Sequence, residues 1–446
     1  MESIVITGIG SALQGVGRLA DGRAAFVPGA LPGERVEIEI TKDGRRFCEA
    51  SLHAVLEPSP DRAASPCPWA GRCGGCQARH MSYARSLSLK RQVVYDALSR
   101  IGGVERPEVR DTLGCAEPLR TRNKAEYPIA WQDGRPVIGA YAGGSRAVIP
   151  LDDCLLQAAP SVAALRWFSA HLGEIPGAKQ LRSLVTRVNR AGDLMVILCG
   201  DAPIQGSVEK LVPALRAALP GLSSVWYCLL NRRPAHALDG KCMRIYGEPV
   251  LEETLLGLRF EISPQAFFQV NPSQAEALYA KALEAAGIAP GCGLRVLDAY
   301  CGAGTITLAA ARWARDAVGI EIVASAIENA RKNAAANGLG ERTRFICGDA
   351  ALEIPRLLAG GDHFDAAILD PPRKGADAAL LDALCAAEIP RIAYVSCDPA
   401  TLARDVNRLT AAGYRLEWAQ PVDMFDWTGH VETIVLLFRA WGETTE

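Results

Sequence analysis

The chain has 446 residues, 49% of them hydrophobic, and a formal net charge of -2. That length sets an expectation of two to three domains around a substantial core, and near-neutrality excludes a global field drawing the protein to nucleic acid, so any RNA site has to be a local basic patch. No apolar run reaches the ~18 residues of a membrane span, the start Met1-Glu2-Ser3-Ile4 lacks the features of a signal peptide, and 14 cysteines in so long a chain do not suit a secreted disulfide scaffold. The expectation is a cytoplasmic protein, not membrane-bound and monomeric, that uses cysteine for metal binding or catalysis.

Residues 1–58 are rich in glycine and β-branched residues. Gly15–Leu19, Ala24–Pro28 and Arg35–Ile40 read as short strands. Gly22, Pro32-Gly33 and Asp43-Gly44 supply turns. A small β-barrel is expected, with Arg18, Arg23, Lys42, Arg45 and Arg46 available for a basic face or a merely solvated surface. Pro58-Ser59-Pro60 reads as a linker. Three cysteines follow closely, Cys67, Cys73 and Cys76, with Gly74 and Gly75 allowing a tight turn. The spacing is not that of a zinc ribbon. It suits a cysteine-ligated iron–sulfur cluster, with Cys115 and Cys154 as the nearest candidates for a fourth ligand. Residues 86–101 have helical apolar spacing and end at Gly102-Gly103. From about 119 to 270 strands dominate, with antiparallel hairpins at Asp133-Gly134 and Ala191-Gly192-Asp193 and one amphipathic helix over Val208–Ala218.

From about residue 272 strands and helices alternate, the mark of a parallel α/β sheet. Leu294–Asp298 is a strand followed by the glycine loop Tyr300–Thr305. Later strands end at Glu321, Asp349, Asp370-Pro371-Pro372-Arg373 and Cys397, and Glu432–Phe438 closes the sheet. Ligands in such sheets bind beyond the carboxyl ends of the strands. A glycine loop lets backbone approach a ligand, and an acid ending the second strand suits ribose hydroxyls. The loop is G-x-G rather than G-x-G-x-x-G, which favours S-adenosylmethionine over a pyrophosphate. Ile392–Val395 hands over at Cys397 to a helix capped by Asp398 and begun by Pro399. Backbone N–H groups and the helix dipole there favour a thiolate, making Cys397 a candidate nucleophile; the plain alternative is a buried structural cysteine.

Together the Cys67–Cys76 run, Phe267-Phe268-Gln269-Val270-Asn271, the Asp298–Gly304 loop, Asp370–Arg373, Ser396-Cys397-Asp398-Pro399 and His430-Val431-Glu432-Thr433 resemble the uracil-5 RNA methyltransferases over most of the chain. The resemblance implies an OB-like TRAM barrel binding RNA at 1–58, and a central, mainly antiparallel β domain at 59–262. A Rossmann-like S-adenosylmethionine methyltransferase domain follows at 263–446, and helix 86–101 is able to pack on it. It implies a [4Fe-4S] cluster on Cys67, Cys73, Cys76 and Cys154, leaving out Cys115, and cofactor contacts at Gln269, Tyr300, Thr305, Glu321, Asp349 and Asp370. It assigns Cys397 as nucleophile and Glu432 as base. Carbon 5 of uracil becomes nucleophilic only after a thiolate adds at carbon 6. A base must then remove the carbon-5 proton before the thiolate leaves, and a partly buried carboxylate of raised pKa suits that task. The target base must be flipped or unpaired. The barrel and the cysteine run resemble the enzymes of 23S ribosomal RNA, the expected partner. A transfer-RNA enzyme and a non-catalytic RNA-binding redox sensor are the alternatives. Arg373 stands where amino-group methyltransferases carry an aromatic residue, which argues against that class.

Overall fold

In the computed structural model, which describes residues 1–439, buried and exposed residues alternate along β1 (Glu2–Ile9), β2 (Gly15–Arg18), β3 (Ala24–Val27), β4 (Arg35–Asp43) and β5 (Phe47–Glu57). That period of two gives each strand one apolar face. The five close into a barrel in the order β1-β2-β3-β5-β4 around Ile4, Ile6, Val27, Val36 and Ile38. After the cysteine run, Ser82 caps α1 (Tyr83–Arg100) by accepting from the Arg85 N–H. One end of α1 packs Leu89 and Val93 on Leu13 and Leu31 of the barrel side. The other packs Val94 and Leu98 into the core of the C-terminal sheet.

The central sheet runs β12-β11-β10-β9-β6-β7-β8. Its strands are β6 (Lys124–Gln132), β7 (Arg135–Tyr141), β8 (Val148–Pro150), β9 (Leu181–Val188), β10 (Leu194–Gly200), β11 (Leu222–Leu230) and β12 (Gly240–Gly247). The turns at Asp133-Gly134 and Gly192 have positive φ and join antiparallel pairs. Only β10 and β11 pair in parallel within this sheet, among the described residues. Helix α2 (Ala159–His171) covers one face. The expected helix over Val208–Ala218 is instead two short ones, α3 (Gln205–Glu209) and α4 (Val212–Ala218). Pro213 sits in the first turn of α4 and has no N–H to continue a helix. The other face packs against the hairpin of β13 (Leu251–Leu255) and β14 (Leu258–Ile262) and against α5 (Pro272–Ala285).

The C-terminal sheet comprises β15 (Arg295–Asp298), β16 (Asp316–Glu321), β17 (Thr343–Cys347), β18 (Ala366–Leu369), β19 (Arg391–Ser396), β20 (Tyr414–Val422) and β21 (Glu432–Arg439). Between them lie α6 (Thr305–Ala311), α7 (Ala324–Ala336), α8 (Ala350–Ala359), α9 (Ala378–Ala386) and α10 (Pro399–Ala411). The order is β17-β16-β15-β18-β19-β21-β20, parallel up to β19 and antiparallel beyond. β21 therefore does not close the sheet as the sequence suggests. It inserts between β19 and the edge strand β20.

Candidate active site

The carboxyl ends of β15, β16, β18 and β19 meet one another, and the amino end of the reversed β21 joins them. The β19–β21 register pairs Ser396 with Thr433, so the next residues out, Cys397 and Glu432, stand opposite each other at the sheet's end. Local chemistry holds both. Asp398 Oδ1 accepts from the N–H groups of Ala400 and Thr401, each at 2.9 Å, and Pro399 begins α10. Glu432 is only 5% exposed. Burial, then the neighbouring Asp370, pushes its carboxyl up to about 8, and Arg373 opposes them. Asp370 is pushed up to about 7 by burial and by Asp298.

Cys397 departs from expectation. The start of α10 was expected to favour a thiolate, yet burial and then the Glu432 charge push the thiol up to about 11. Arg373 is the cation that pulls it back. The resting group is a protonated thiol, because desolvation and two nearby carboxylates outweigh the helix end.

The glycine loop turns at Gly302 (φ 52°) and Gly304 (φ 85°). A Cβ on Gly304 would come within 3.1 Å of Ala330 and Phe345, so that glycine lets α6 seat on its neighbours. A Cβ on Gly302 would meet nothing, so that position borders open space. The Glu321 carboxylate accepts from the N–H groups of Gly302 (3.2 Å) and Val323 (2.9 Å). Asp298 is buried, accepts from Thr307 Oγ1 at 2.6 Å, and has a second oxygen without a partner. Thr305 is the first residue of α6, and Asp349 caps α8 through Ala351 N–H. Tyr300 is half-buried, its phenol pushed up to about 12 by burial. Gln269 is buried, and its carbonyl accepts from Asn123 Nδ2. Tyr279 of α5 was not anticipated. Its buried phenol is pushed up first by burial and then by Asp370, with Gln269 and Glu432 also acting on it. In sequence it is one apolar position of an amphipathic helix. An open ring of acids and a glycine turn bordering space fit a nucleoside-bearing methyl donor.

A cleft of about 840 Å³ leads to this site. Its walls are β1 and β2 of the barrel, Asp96 and Arg100 of α1, and His430; Cys397 and Asp398 face it.

Among the described residues, no three His, Cys, Asp or Glu side chains are gathered as a metal ion requires. The expected iron–sulfur site is thus not drawn together on a single point. Cys67, Cys73, Cys76 and Cys154 instead line one cavity of about 170 Å³. Burial raises Cys73 and Cys76, and the other thiols push the same way. Cys115 lies elsewhere, buried 3.1 Å from Asp426 and 3.2 Å from Asn271.

These features define a methyltransferase domain joined to a barrel. Residues 291–425 match the methyltransferase domain model and residues 3–53 the TRAM domain model. The chain is 38% identical over 426 residues to an uncharacterised RNA methyltransferase of Halalkalibacterium halodurans, covering 94% of this chain and 92% of the relative. It is 40% identical over 444 residues to another from Caldanaerobacter subterraneus, covering 97% of each. The crystal structure of the Pyrococcus abyssi tRNA (uracil-54, C5)-methyltransferase with S-adenosyl-L-homocysteine superposes with a TM-score of 0.76 at 26% identity, covering 98% of this chain and 100% of that one. The chain belongs to the RNA methyltransferase family and is an S-adenosylmethionine-dependent enzyme.

Proposed function

We propose that the enzyme methylates carbon 5 of a uridine in 23S ribosomal RNA through a covalent adduct between Cys397 and carbon 6 of the base. The observation that carries this reading is the placement of Cys397 and Glu432 next to the paired Ser396 and Thr433 at the ends of β19 and β21, close enough for the carboxyl to act on the thiol. S-adenosylmethionine supplies an electrophilic methyl on sulfonium. Cys397 loses its thiol proton to water and adds as a thiolate to carbon 6. The electron pair moves to carbon 5, which takes the methyl as the sulfonium leaves as the neutral thioether S-adenosyl-L-homocysteine. Glu432 then removes the carbon-5 proton, and the Cys397 sulfur leaves with its bonding pair. Arg373 favours the ionised form of both residues. Gln269, Tyr300, Thr305, Glu321, Asp349 and Asp370 are assigned to the cofactor. The division into units at 1–58, 59–262 and 263–446 is kept, with α1 assigned to the catalytic unit because Val94 and Leu98 lie in its core.

We also assign a [4Fe-4S] cluster to Cys67, Cys73, Cys76 and Cys154. Four thiols rimming a cavity suit a polynuclear core better than one ion. When bound, such a cluster supplies a reducible iron centre. A transfer-RNA uridine is the second reading, favoured by the likeness to the Pyrococcus abyssi enzyme.

Glu432→Gln should accumulate a methylated protein–RNA adduct that survives denaturing gels, and Cys397→Ala, alone or combined with it, should give none. A Glu432→Gln enzyme turning over normally without adduct would remove Glu432 as the base. Mapping 5-methyluridine in RNA from cells with and without the gene separates the two substrates.

A further inference from the structure

The cavity rimmed by the four cysteines collects buried polar atoms that have no partner. Trp69 Nε1, Arg79 Nε, Arg122 Nε and Tyr127 OH are all buried without a hydrogen-bond partner, and all four side chains line this cavity. Each is a donor. An unmet buried donor is unfavourable, so four around one small space call for an acceptor there.

The charges point the same way. Arg79 is 5% exposed. Its guanidinium lies over the Trp427 ring, 4.5 Å from the centroid. Among the described residues neither Arg79 nor Arg122 has a salt bridge. Two carboxylates lie on the cavity wall: Asp153 is held by Arg120 at 2.7 Å and by Arg166 at 3.7 Å, and Glu126 is exposed and has no salt bridge among the described residues. Two guanidinium groups without a salt bridge thus face a space rimmed by thiols, and Arg79 already bonds the Cys76 sulfur. A burial of that kind is unfavourable unless a negative group fills the space. Two different acceptors would satisfy one N–H or O–H each: a cysteine sulfur or an inorganic sulfide of the bound group.

We propose that Trp69, Arg79, Arg122 and Tyr127 donate hydrogen bonds to sulfurs of the iron–sulfur cluster and, with the two arginine charges, raise its reduction potential. The proposal rests on the cluster assignment made above. Its physical basis is general. Hydrogen bonds to the sulfurs and nearby positive charge stabilise the more negative, reduced cluster, and these are levers by which a protein sets the potential. The same ring is tied to the catalytic side. The Trp427 carbonyl accepts from the N–H groups of Gln77 and Ala78, both at 3.0 Å, and Gly429 N–H reaches Gln77 Oε1 at 3.4 Å. Trp427 and Gly429 belong to the segment that leads into Glu432, so Arg79 touches both the cluster wall and that segment.

The test is a redox titration of anaerobically purified full-length protein, followed by electron paramagnetic resonance, with resonance Raman of the iron–sulfur stretches. Tyr127→Phe deletes one hydroxyl that bonds to nothing else. Arg122→Gln deletes one charge that has no ion pair. Both should keep iron and sulfide at the wild-type ratio and shift the midpoint to more negative potential, Arg122→Gln by more, with altered stretching frequencies. If Arg122→Gln loses the cluster, Tyr127→Phe decides alone. An intact cluster with wild-type potential and Raman bands in Tyr127→Phe overturns the proposal. Wild-type protein without iron or sulfide overturns the cluster assignment itself, and this proposal falls with it.

Discussion

Glu432 shows what one buried carboxyl costs the fold. Its carboxyl is raised from the ordinary 4.5 to about 8, mainly by burial. In the folded protein it therefore holds its proton while the unfolded chain has already lost it. Stability then falls as pH rises from about 4.5 towards about 8, and the full penalty stands above that. Glu432→Gln removes the ionisable group. Its stability relative to wild type should rise on the order of 2–4 kcal/mol near pH 9 and vanish near pH 4. Urea midpoints at the two pH values measure this. Parallel pH profiles for the two proteins would mean that the carboxyl is not destabilised. A stabilised variant that no longer releases its product is the expected trade between stability and activity. The sequence marks Cys397 and Glu432 through their motifs, but not their mutual influence. The thiol is raised by burial and then by a carboxylate 35 positions away that only the sheet register brings near.

At the scale of elements, α1 is pinned to the segment before β21 by a buried ion pair. Lys90 Nζ bonds Asp423 Oδ1, both side chains are fully buried, and Tyr83 OH donates to Asp423 Oδ2 at 2.7 Å. Lys90→Met leaves Asp423 charged with only the Tyr83 hydroxyl as partner and no cation, a loss of about 3–5 kcal/mol. The double variant Lys90→Met with Asp423→Leu should recover much of it, because the uncompensated charge is gone. Urea unfolding of the two variants settles the comparison. Equal stability of Lys90→Met and wild type would show the pair to be inert. The glycine loop gives a second contrast. Gly304→Ala meets both a left-handed φ and close neighbours, so it should lose ~2 kcal/mol or more. Gly302→Ala also meets a left-handed φ, but in open space, so calorimetry should find it the less destabilised of the two, with weakened S-adenosyl-L-homocysteine binding. Much of this layer is legible in the chain: apolar runs bounded by acids locate β15 to β19, and the Asp133-Gly134 and Gly192 turns locate two hairpins. β20 was not legible. It is an edge strand that carries Arg415, Glu417 and Pro421, so neither period nor composition marks it. The cavity donors Arg79 and Arg122 were equally hidden, because nothing in a lone arginine tells whether it faces water or a buried thiol.

The whole molecule places the barrel as a wall of the cleft that opens on Cys397, and this changes which charges matter for RNA. Two of the five residues of the expected basic face are neutralised. Arg23 is ion-paired with Asp21 and Asp43, and Lys42 with Glu49. Arg45 and Arg46 are exposed but do not line the cleft. Arg18 does line it, and its guanidinium bonds a backbone carbonyl, that of Gly22, at 2.8 Å rather than a carboxylate. Deleting residues 1–57 is a poor probe of this, since it would also expose Met81, Leu89 and Val93 and leave Arg62 without Glu34. A single charge is the cleaner lever. Each phosphate contact formed on binding releases condensed counterions and contributes ~0.7–0.9 to the slope of log K against log salt. Arg18→Ala should therefore weaken binding of structured RNA several-fold at low salt and lower that slope by about one. Lys42→Ala should change neither, because Glu49 already holds its charge and it lies off the cleft. Binding isotherms across a salt series on both variants read the two quantities directly. If Lys42→Ala lowers the slope and Arg18→Ala does not, RNA runs over the outer face of the barrel instead of through the cleft that opens on Cys397.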